Sequence, residues 1–189
     1  LGDVYKRQVI GHGLPVHTGG FTNNFEYKGF DLSVFFQWSY GNDVINYNRA
    51  KLENMNGVRH TNMLASAKDH WTPRIDNGDG TYAAGNYTNY LWRVDGGLSD
   101  INTSRVVEDA SFLRLKNVQL GYNFPVKLIR KFKLSSLRLY LSGQNLWTWT
   151  KYTGYDPEVS TRNSAMTRGF DYSAYPRTTS FTFGVKLGL

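Results

Sequence analysis

Four histidines are the side chains most able to bind a metal ion, and their spacing does not favour a metal site. Zinc sites combine His with Cys or carboxylate ligands at short, regular separations. The chain has no cysteine, and its histidines lack such a spacing supported by carboxylates. We therefore expect no metal site, no cofactor and no catalytic centre, and the chain is not predicted to be an enzyme. The histidines are His12, His17, His60 and His70.

An acidic turn with the sequence DNGDG begins at Asp76 and is the next candidate for metal binding. Asp76, Asn77 and Asp79, together with Gly78 and Gly80, resemble part of a calcium-binding loop, but the distal bidentate Glu of such loops is missing. Gly and Asx residues together also form ordinary tight turns. The sequence favours the ordinary turn.

Aromatic side chains are concentrated in one long polar stretch. Exposed rings there could stack on sugar faces, or they could pack the stretch against its neighbours. Packing is the more common role, and contact with a bound molecule is the sharper hypothesis, with Tyr90 and Trp92 as its candidates. The rings are Trp71, Tyr82, Tyr87, Tyr90 and Trp92.

The chain is basic, with a formal net charge of +7 and a pI near 9.5. A basic domain can bind nucleic acid. Here the charge is scattered, and its one cluster follows a strand-like segment as a solvated turn would, so no nucleic-acid partner is expected. Mean hydropathy is −0.48, and no apolar run approaches the ~20 residues of a membrane helix. The cluster is Lys127, Arg130, Lys131 and Lys133.

The last twelve residues alternate between apolar and polar or small side chains up to the final residue. Alternate residues of a strand point to opposite faces, so this segment has one apolar face. Twelve residues tilted by roughly 45° rise about 28 Å, close to the apolar band of an outer-membrane barrel. We therefore predict a transmembrane strand over 178–189 with lipid-facing residues Phe181, Phe183, Val185 and Leu187.

Four further strands are predicted from the same alternation. Lys28-Gly29 forms a two-residue hairpin that puts Tyr27 and Phe30 on one face. The apolar parity of the third strand changes between Leu115 and Val118, which predicts a β-bulge near Lys116-Asn117. The predicted strands cover about 20–28, 30–40, 111–124, 136–149 and 178–189.

The connections between these strands alternate between short and long. The long ones, 41–110 and 151–177, are typical of the extracellular loops of outer-membrane barrels. Short helices are predicted inside the first, over Asp43–Met55 and Asn62–Trp71. Amphipathic rings where strands enter the long connections predict an aromatic girdle of Trp38, Tyr40, Trp147 and Trp149. The fold class is therefore all-β, an incomplete antiparallel transmembrane β-barrel with long extracellular loops.

The first residues suggest that the gene is truncated. Leu1–Gln8 (LGDVYKRQ) reads as adapter-like, non-native sequence, and no signal peptide is visible. We therefore expect residues 9–189 to be the C-terminal part of a larger barrel.

Four ordered blocks resemble the C-terminal end of the SusC/RagA family of TonB-linked, or TonB-dependent, outer-membrane transporters of Bacteroidota. The blocks are DLSVFFQWSYGNDVIN from Asp31, VEDASFLRLKNVQLGYNFP from Val107, LRLYLSGQNLWTWTKYTGYDPEV from Leu137 and YPRTTSFTFGVKLGL from Tyr175. The resemblance covers nearly everything from Gly19 onward.

This resemblance implies the last five strands of a 22-stranded barrel in the cell outer membrane of a Gram-negative bacterium, in contact with outer-membrane lipid. It implies import of glycans or peptides through an oligosaccharide or peptide binding site, together with a SusD-like surface lipoprotein. Energy would come from the TonB complex through an N-terminal part absent from this sequence. Tyr90 and Trp92 would then contact substrate or the lipoprotein lid.

Two other functions remain open at this stage. A soluble all-β carbohydrate-binding module would use Tyr and Trp as sugar platforms, but it needs an apolar layer against the Phe181–Leu187 face. A passive structural outer-membrane barrel would share the strands without active import.

Overall fold

The computed structural model describes residues 9–53, 62–70, 72–85, 104–161 and 168–189. Residues 1–8, which we expect to be non-native, lie outside these ranges. The strands of the described residues are β1 His17–Tyr27, β2 Phe30–Tyr40, β3 Asp43–Asn46, β4 Ile75–Asp76, β5 Tyr82–Ala83, β6 Val107–Asp109, β7 Phe112–Asn123, β8 Ser136–Thr150, β9 Phe170–Asp171 and β10 Ser180–Gly188. The helices are α1 Tyr47–Leu52 and α2 Val126–Ile129, with short 3₁₀ turns at Ala65–Asp69, Ser104–Val106 and Arg130–Phe132.

The long strands form one antiparallel sheet in the order β1-β2-β7-β8-β10. Because directly paired residues share a face, the register can be followed across all five strands. We call one side the apolar face, and one of its rows reads Phe25, Leu32, Leu120, Leu141 and Phe183. We call the other the polar face, and the adjacent row there reads Asn24, Ser33, Gln119, Ser142 and Thr182.

The predicted hairpin between β1 and β2 is confirmed. Tyr27 pairs with Phe30, so Lys28 and Gly29 are the two turn residues. Both have positive φ, 48° and 90°, as a type I′ turn requires, and glycine adopts that conformation without a steric penalty. This turn and the one after β7 lie at the end of the sheet that we call the short-turn end. The opposite end, where the connections after β2 and β8 begin, is the long-loop end.

The predicted bulge in β7 is also confirmed. Phe35 pairs with Asn117 and the next residue, Phe36, pairs with Leu115, so Lys116 is the extra residue. The shift brings Leu115 onto the apolar face although its parity differs from that of Val118.

A second irregularity lies beside it in β8 and is not predicted from the sequence. Gln144 pairs with Asn117, whereas Leu115 pairs with Trp147, so two residues of β8 lie opposite Lys116. One of them, Asn145, has φ 51°. Gly143 and Trp147 are an even number of positions apart, so the apolar residues of β8 have the same parity on both sides of the irregularity. The sequence pattern therefore does not reveal it.

A small second sheet, β6-β3-β9, caps the long-loop end and corrects the prediction for Asp43–Met55. That segment starts as strand β3, which pairs antiparallel with β6 and parallel with β9. The helix begins only at Tyr47, where the side chain of Asn46 accepts a hydrogen bond from the Arg49 amide and caps the first turn. The predicted helix over Asn62–Trp71 is a 3₁₀ turn, and Trp71 lies outside the described residues.

Buried apolar side chains lie mainly in this cap and not beneath the main sheet. Val44, Ala110 and Tyr152 form a cluster there, and Val106 is almost fully buried. The apolar face of the main sheet has no such cover among the described residues. Within those residues, no helix has the length and apolarity needed to cross a membrane.

Candidate functional site

A cleft of about 540 Å³ opens on the polar face at the long-loop end. One wall is the end of the sheet, with Gln37 and Ser39 of β2 and Phe112 of β7. The facing wall is the connection after β8, with Pro157 and Glu158. A volume of this size falls within the range of ligand-binding clefts.

A buried ion pair holds the connection after β8 against the sheet. Arg114 of β7 donates through Nη2 to Oδ1 of Asp156 at 2.5 Å, and the two side chains are only 3% and 4% exposed. Arg114 also donates through Nη1 to Oε2 of Glu158 at 3.1 Å. Buried ions are stable only when they are paired and hydrogen-bonded, so these contacts fix the position of the connection.

Two further cations besides Arg114 form ion pairs with Glu158. Lys116 Nζ lies 3.4 Å from Oε2, and Arg177 Nη2 lies 3.0 Å from Oε1. The β7 bulge contributes to this arrangement, because Arg114, Lys116 and Asn117 all face the polar side where strict alternation would turn one of them away. The sequence locates the bulge but not the cluster that the bulge assembles.

The pKa of Asp156 is lowered by its surroundings. Burial alone would raise this pKa, since it penalises the charged form, but hydrogen bonds from Arg114 and from the backbone amides of Glu158 and Arg177 outweigh it. Those amides lie 2.9 and 3.1 Å from the carboxylate oxygens. Asp156 is therefore a carboxylate at neutral pH.

A second buried carboxylate ties β9 to the start of the same connection. Tyr152 donates its hydroxyl to Oδ2 of Asp171 at 2.6 Å. Burial raises the pKa of Tyr152, and so do its hydrogen bond to Asp171 and the nearby carboxylates. Next to this pair, Glu108 accepts hydrogen bonds from the backbone amide and the hydroxyl of Thr153. The long-loop end is thus crosslinked by polar contacts between distant segments.

The polar face carries a more open ion pair at the short-turn end. Arg138 of β8 donates to Asp31 of β2 at 2.5 Å across Gly121, and Asn123 donates to the same carboxylate at 3.2 Å. Gly121 leaves the space for these side chains, since a Cβ there would come within 2.5 Å of Asp31 Oδ1.

The predicted lipid-facing residues lie on the apolar face of β10 and are exposed in this chain. Their exposed fractions are 71% for Phe181, 69% for Phe183, 50% for Val185 and 60% for Leu187.

The predicted girdle residues lie near the long-loop end. Trp38 and Trp149 both pair with Leu113 and so share one row of the apolar face. Trp38 Nε1 donates to Nδ1 of His17 at 3.1 Å, so its polar edge is satisfied. Trp147 lies one row closer to the centre of the sheet and Tyr40 at the end of β2.

Tyr90 and Trp92 lie outside the described residues, and so do Tyr87 and His60. The acidic turn forms the tip of the β4–β5 hairpin, where Asp76 accepts from the Gly78 amide and Asp79 from the Thr81 amide, both at 2.8 Å. These are ordinary Asx-turn contacts. In the part of the chain that the structure describes, no His, Cys, Asp and Glu residues are grouped as metal ligands.

An antiparallel sheet with an uncovered apolar face and a charged, cleft-bearing opposite face defines a segment of a transmembrane β-barrel. No family model matches the chain. It is 38% identical over 186 residues to the TonB-dependent receptor P3 of Formosa agariphila, and 28% identical to the TonB-dependent receptor SusC of Bacteroides thetaiotaomicron. These alignments cover 96% and 89% of this chain.

Solved structures agree with these sequence matches. The structure of the RagAB peptide transporter superposes with a TM-score of 0.75 at 29% identity over 93% of this chain. The closed-closed state of the RagAB peptide importer gives a TM-score of 0.73 over 95%. The chain belongs to the SusC/RagA family of TonB-dependent receptors, as the sequence blocks indicated, and its fold is a partial β-barrel. It spans about 17% of the length of receptor P3 and of the RagAB transporter chain.

Proposed function

We propose that this chain is the C-terminal barrel segment of a TonB-dependent importer in the outer membrane of a Gram-negative bacterium. The whole importer takes up glycans or peptides together with a SusD-like lipoprotein and draws energy from the TonB complex through its N-terminal part. The chain itself performs no covalent chemistry. Its relatives favour this function over a soluble carbohydrate-binding module, because they are receptors and a peptide transporter.

The observation that carries the proposal is the continuous apolar face of the main sheet. Its rows run without a charged side chain across all five strands, for example from Tyr27 through Tyr122 to Val185. Exposed apolar patches of this extent mark contact with lipid or with another protein. Acyl chains are the partner that suits alternating strands of this length.

The orientation and the loop roles follow from the same proposal. The long connections over 41–110 and 151–177 face outward and the short turns face the periplasm, as in other outer-membrane barrels. Trp38, Tyr40, Trp147 and Trp149 then lie at the outer membrane–water interface. The polar face lines the lumen, and the cleft lies at its outer entrance.

Lipid contact can be tested with fluorophores attached to single cysteines in the full-length receptor, which has no cysteine in this segment. Labels at Phe183→Cys and Leu139→Cys should be quenched by lipids with brominated acyl chains. The matched control is Thr182→Cys on the opposite face, which should be quenched much less. Equal quenching at residues 182 and 183 would overturn the barrel orientation.

Tyr90 and Trp92 are proposed to contact the transported molecule or the lipoprotein lid. Replacing both with Ala in the full-length receptor should reduce uptake while the surface level of the receptor stays constant. Tyr82→Ala, on the β5 strand of the same long connection, serves as the aromatic control. Unchanged uptake in the double variant would remove this role.

A further inference from the structure

The cleft at the long-loop end has an excess of positive charge on its lining. Its charged lining residues are Glu158, Arg168 and Arg177. Glu158 is already shared by Arg114, Lys116 and Arg177, so both of its carboxylate oxygens have cationic donors. Its single negative charge is thus shared among three cations, and it forms no ion pair with Arg168 in the described part of the chain.

Arg168 is the unmatched charge. Its residue is exposed, it lines the cleft, and it forms no ion pair with any residue in the described ranges. Arg177 is also only partly committed, since its side chain is 48% exposed and one of its guanidinium nitrogens carries the contact to Glu158. Arg168 and Arg177 therefore both line the cleft, and among the described residues their guanidinium groups form one ion pair, that of Arg177 with Glu158.

The remaining lining is suited to a polar organic molecule. Gln37, Ser39 and Asn42 supply amide and hydroxyl groups, and Phe112 supplies aromatic surface. Arginine binds carboxylate and other oxyanions through two parallel hydrogen bonds. A net positive charge at a cleft also raises the local concentration of anionic ligands.

We propose that this cleft binds an oxyanion group, a carboxylate or sulfate, of the transported molecule, with Arg168 as its principal donor and Arg177 as the second. The inference rests on the proposed import function and assigns a ligand chemistry to one site in it. The buried Arg114–Asp156 pair positions the cleft wall and does not itself face the ligand.

The test measures binding by the purified full-length receptor with two charged probes and their neutral counterparts. One pair is trigalacturonate and its methyl triester, and the other is a blocked pentapeptide with a central Glu and the same peptide with Gln. Arg168→Gln should weaken binding of a charged probe about tenfold or more, and that of its neutral counterpart less than twofold. Arg168→Lys keeps the positive charge but not the planar guanidinium with its two parallel donors. It should therefore weaken binding of the charged probe less than Arg168→Gln does.

The matched control is Arg130→Gln, which removes the same charge from an exposed position at the short-turn end. It should leave all four affinities unchanged. A loss confined to trigalacturonate supports the site with an acidic saccharide as ligand, and a loss confined to the Glu peptide supports it with an acidic peptide.

Two results would overturn the inference. One is a wild-type receptor that binds neither charged probe better than its neutral counterpart, and the other is an equal loss from Arg168→Gln and Arg130→Gln. Neither result affects the import proposal, which the lipid-quenching experiment tests separately.

Discussion

Two arginines on the polar face, Arg114 and Arg138, each bind a carboxylate at 2.5 Å, yet their surroundings differ. At the long-loop end, Arg114 and Asp156 are 3% and 4% exposed. At the short-turn end, Arg138 and Asp31 are 31% and 21% exposed. Equal distances therefore do not mean equal contributions to stability. Burial limits how far water can take the place of a partner that is removed.

The two pairs also connect different parts of the chain. Arg138 joins neighbouring regions of one sheet that backbone hydrogen bonds already hold. Arg114 joins the sheet to a connection that has no strand pairing with β7. We therefore expect the long-loop end to depend on its ion pair, and the short-turn end to depend mainly on its strands.

The largest expected effect follows from removing Arg114. Arg114→Leu leaves Asp156 buried without its charged partner, which should destabilise the long-loop end by about 3–5 kcal/mol. Thermal unfolding of the full-length receptor in detergent, together with protease cleavage between 151 and 161, measures the loss. An unchanged cleavage rate would show that the connection is held by other contacts.

Acidification should open the same end for the same reason. The pKa of Asp156 is lower in the folded chain than the value of about 3.9 for an unfolded Asp, so its contribution to stability is complete above that value. That contribution is lost as the pH falls through the lower, folded pKa. Hydrogen-exchange protection of the Glu158 and Arg177 amides should fall over this window.

Asp156→Asn is the control for the acid effect. The amide cannot titrate, so protection in this variant should be weaker at neutral pH and should not fall further over the same acid window. Equal pH dependence in the variant and the wild type would assign the effect to other carboxylates.

A smaller effect on stability, from packing and not from charge, is expected at the short-turn end. The ring of Tyr140 lies over Gly184, where a Cβ would come within 2.1 Å of the ring Cζ. Gly184→Ala should therefore displace the ring and cost about 1 kcal/mol of stability. In a Tyr140→Ala background the same substitution should cost almost nothing, and thermal unfolding of all four combinations gives the coupling. A coupling of zero would mean that the ring does not pack there.

Sequence patterns predicted the main sheet well because its strands are long. Period-two alternation over nine or more residues identifies each face, and the parity change between Leu115 and Val118 requires a bulge. The bulge in β8 does not change the parity of the apolar residues, so the alternation pattern cannot reveal it. Strands β3, β6 and β9, with two to four residues each, are too short to carry a period.

The cleft could not be predicted because its contacts join distant segments. Arg114 is 42 positions from Asp156 and 44 from Glu158. Arg114 and Lys116 were visible as cations in a strand, but their partners lie in a connection whose path depends on tertiary packing. A surplus of positive charge at one end of the polar face is therefore a property of the fold and not of any local motif.

The smallest expected effect completes the comparison between the two arginines. Arg138→Gln leaves Asp31 with its hydrogen bond from Asn123 and with partial access to water, so the loss should be about 1 kcal/mol or less. The Arg138 contribution should also shrink as salt rises from about 0.1 to 1 M, whereas the more buried Arg114 contribution should change little. Thermal unfolding of both variants at the two salt concentrations measures this. A salt-insensitive loss at Arg138 as large as that at Arg114 would mean that burial does not distinguish the two ends.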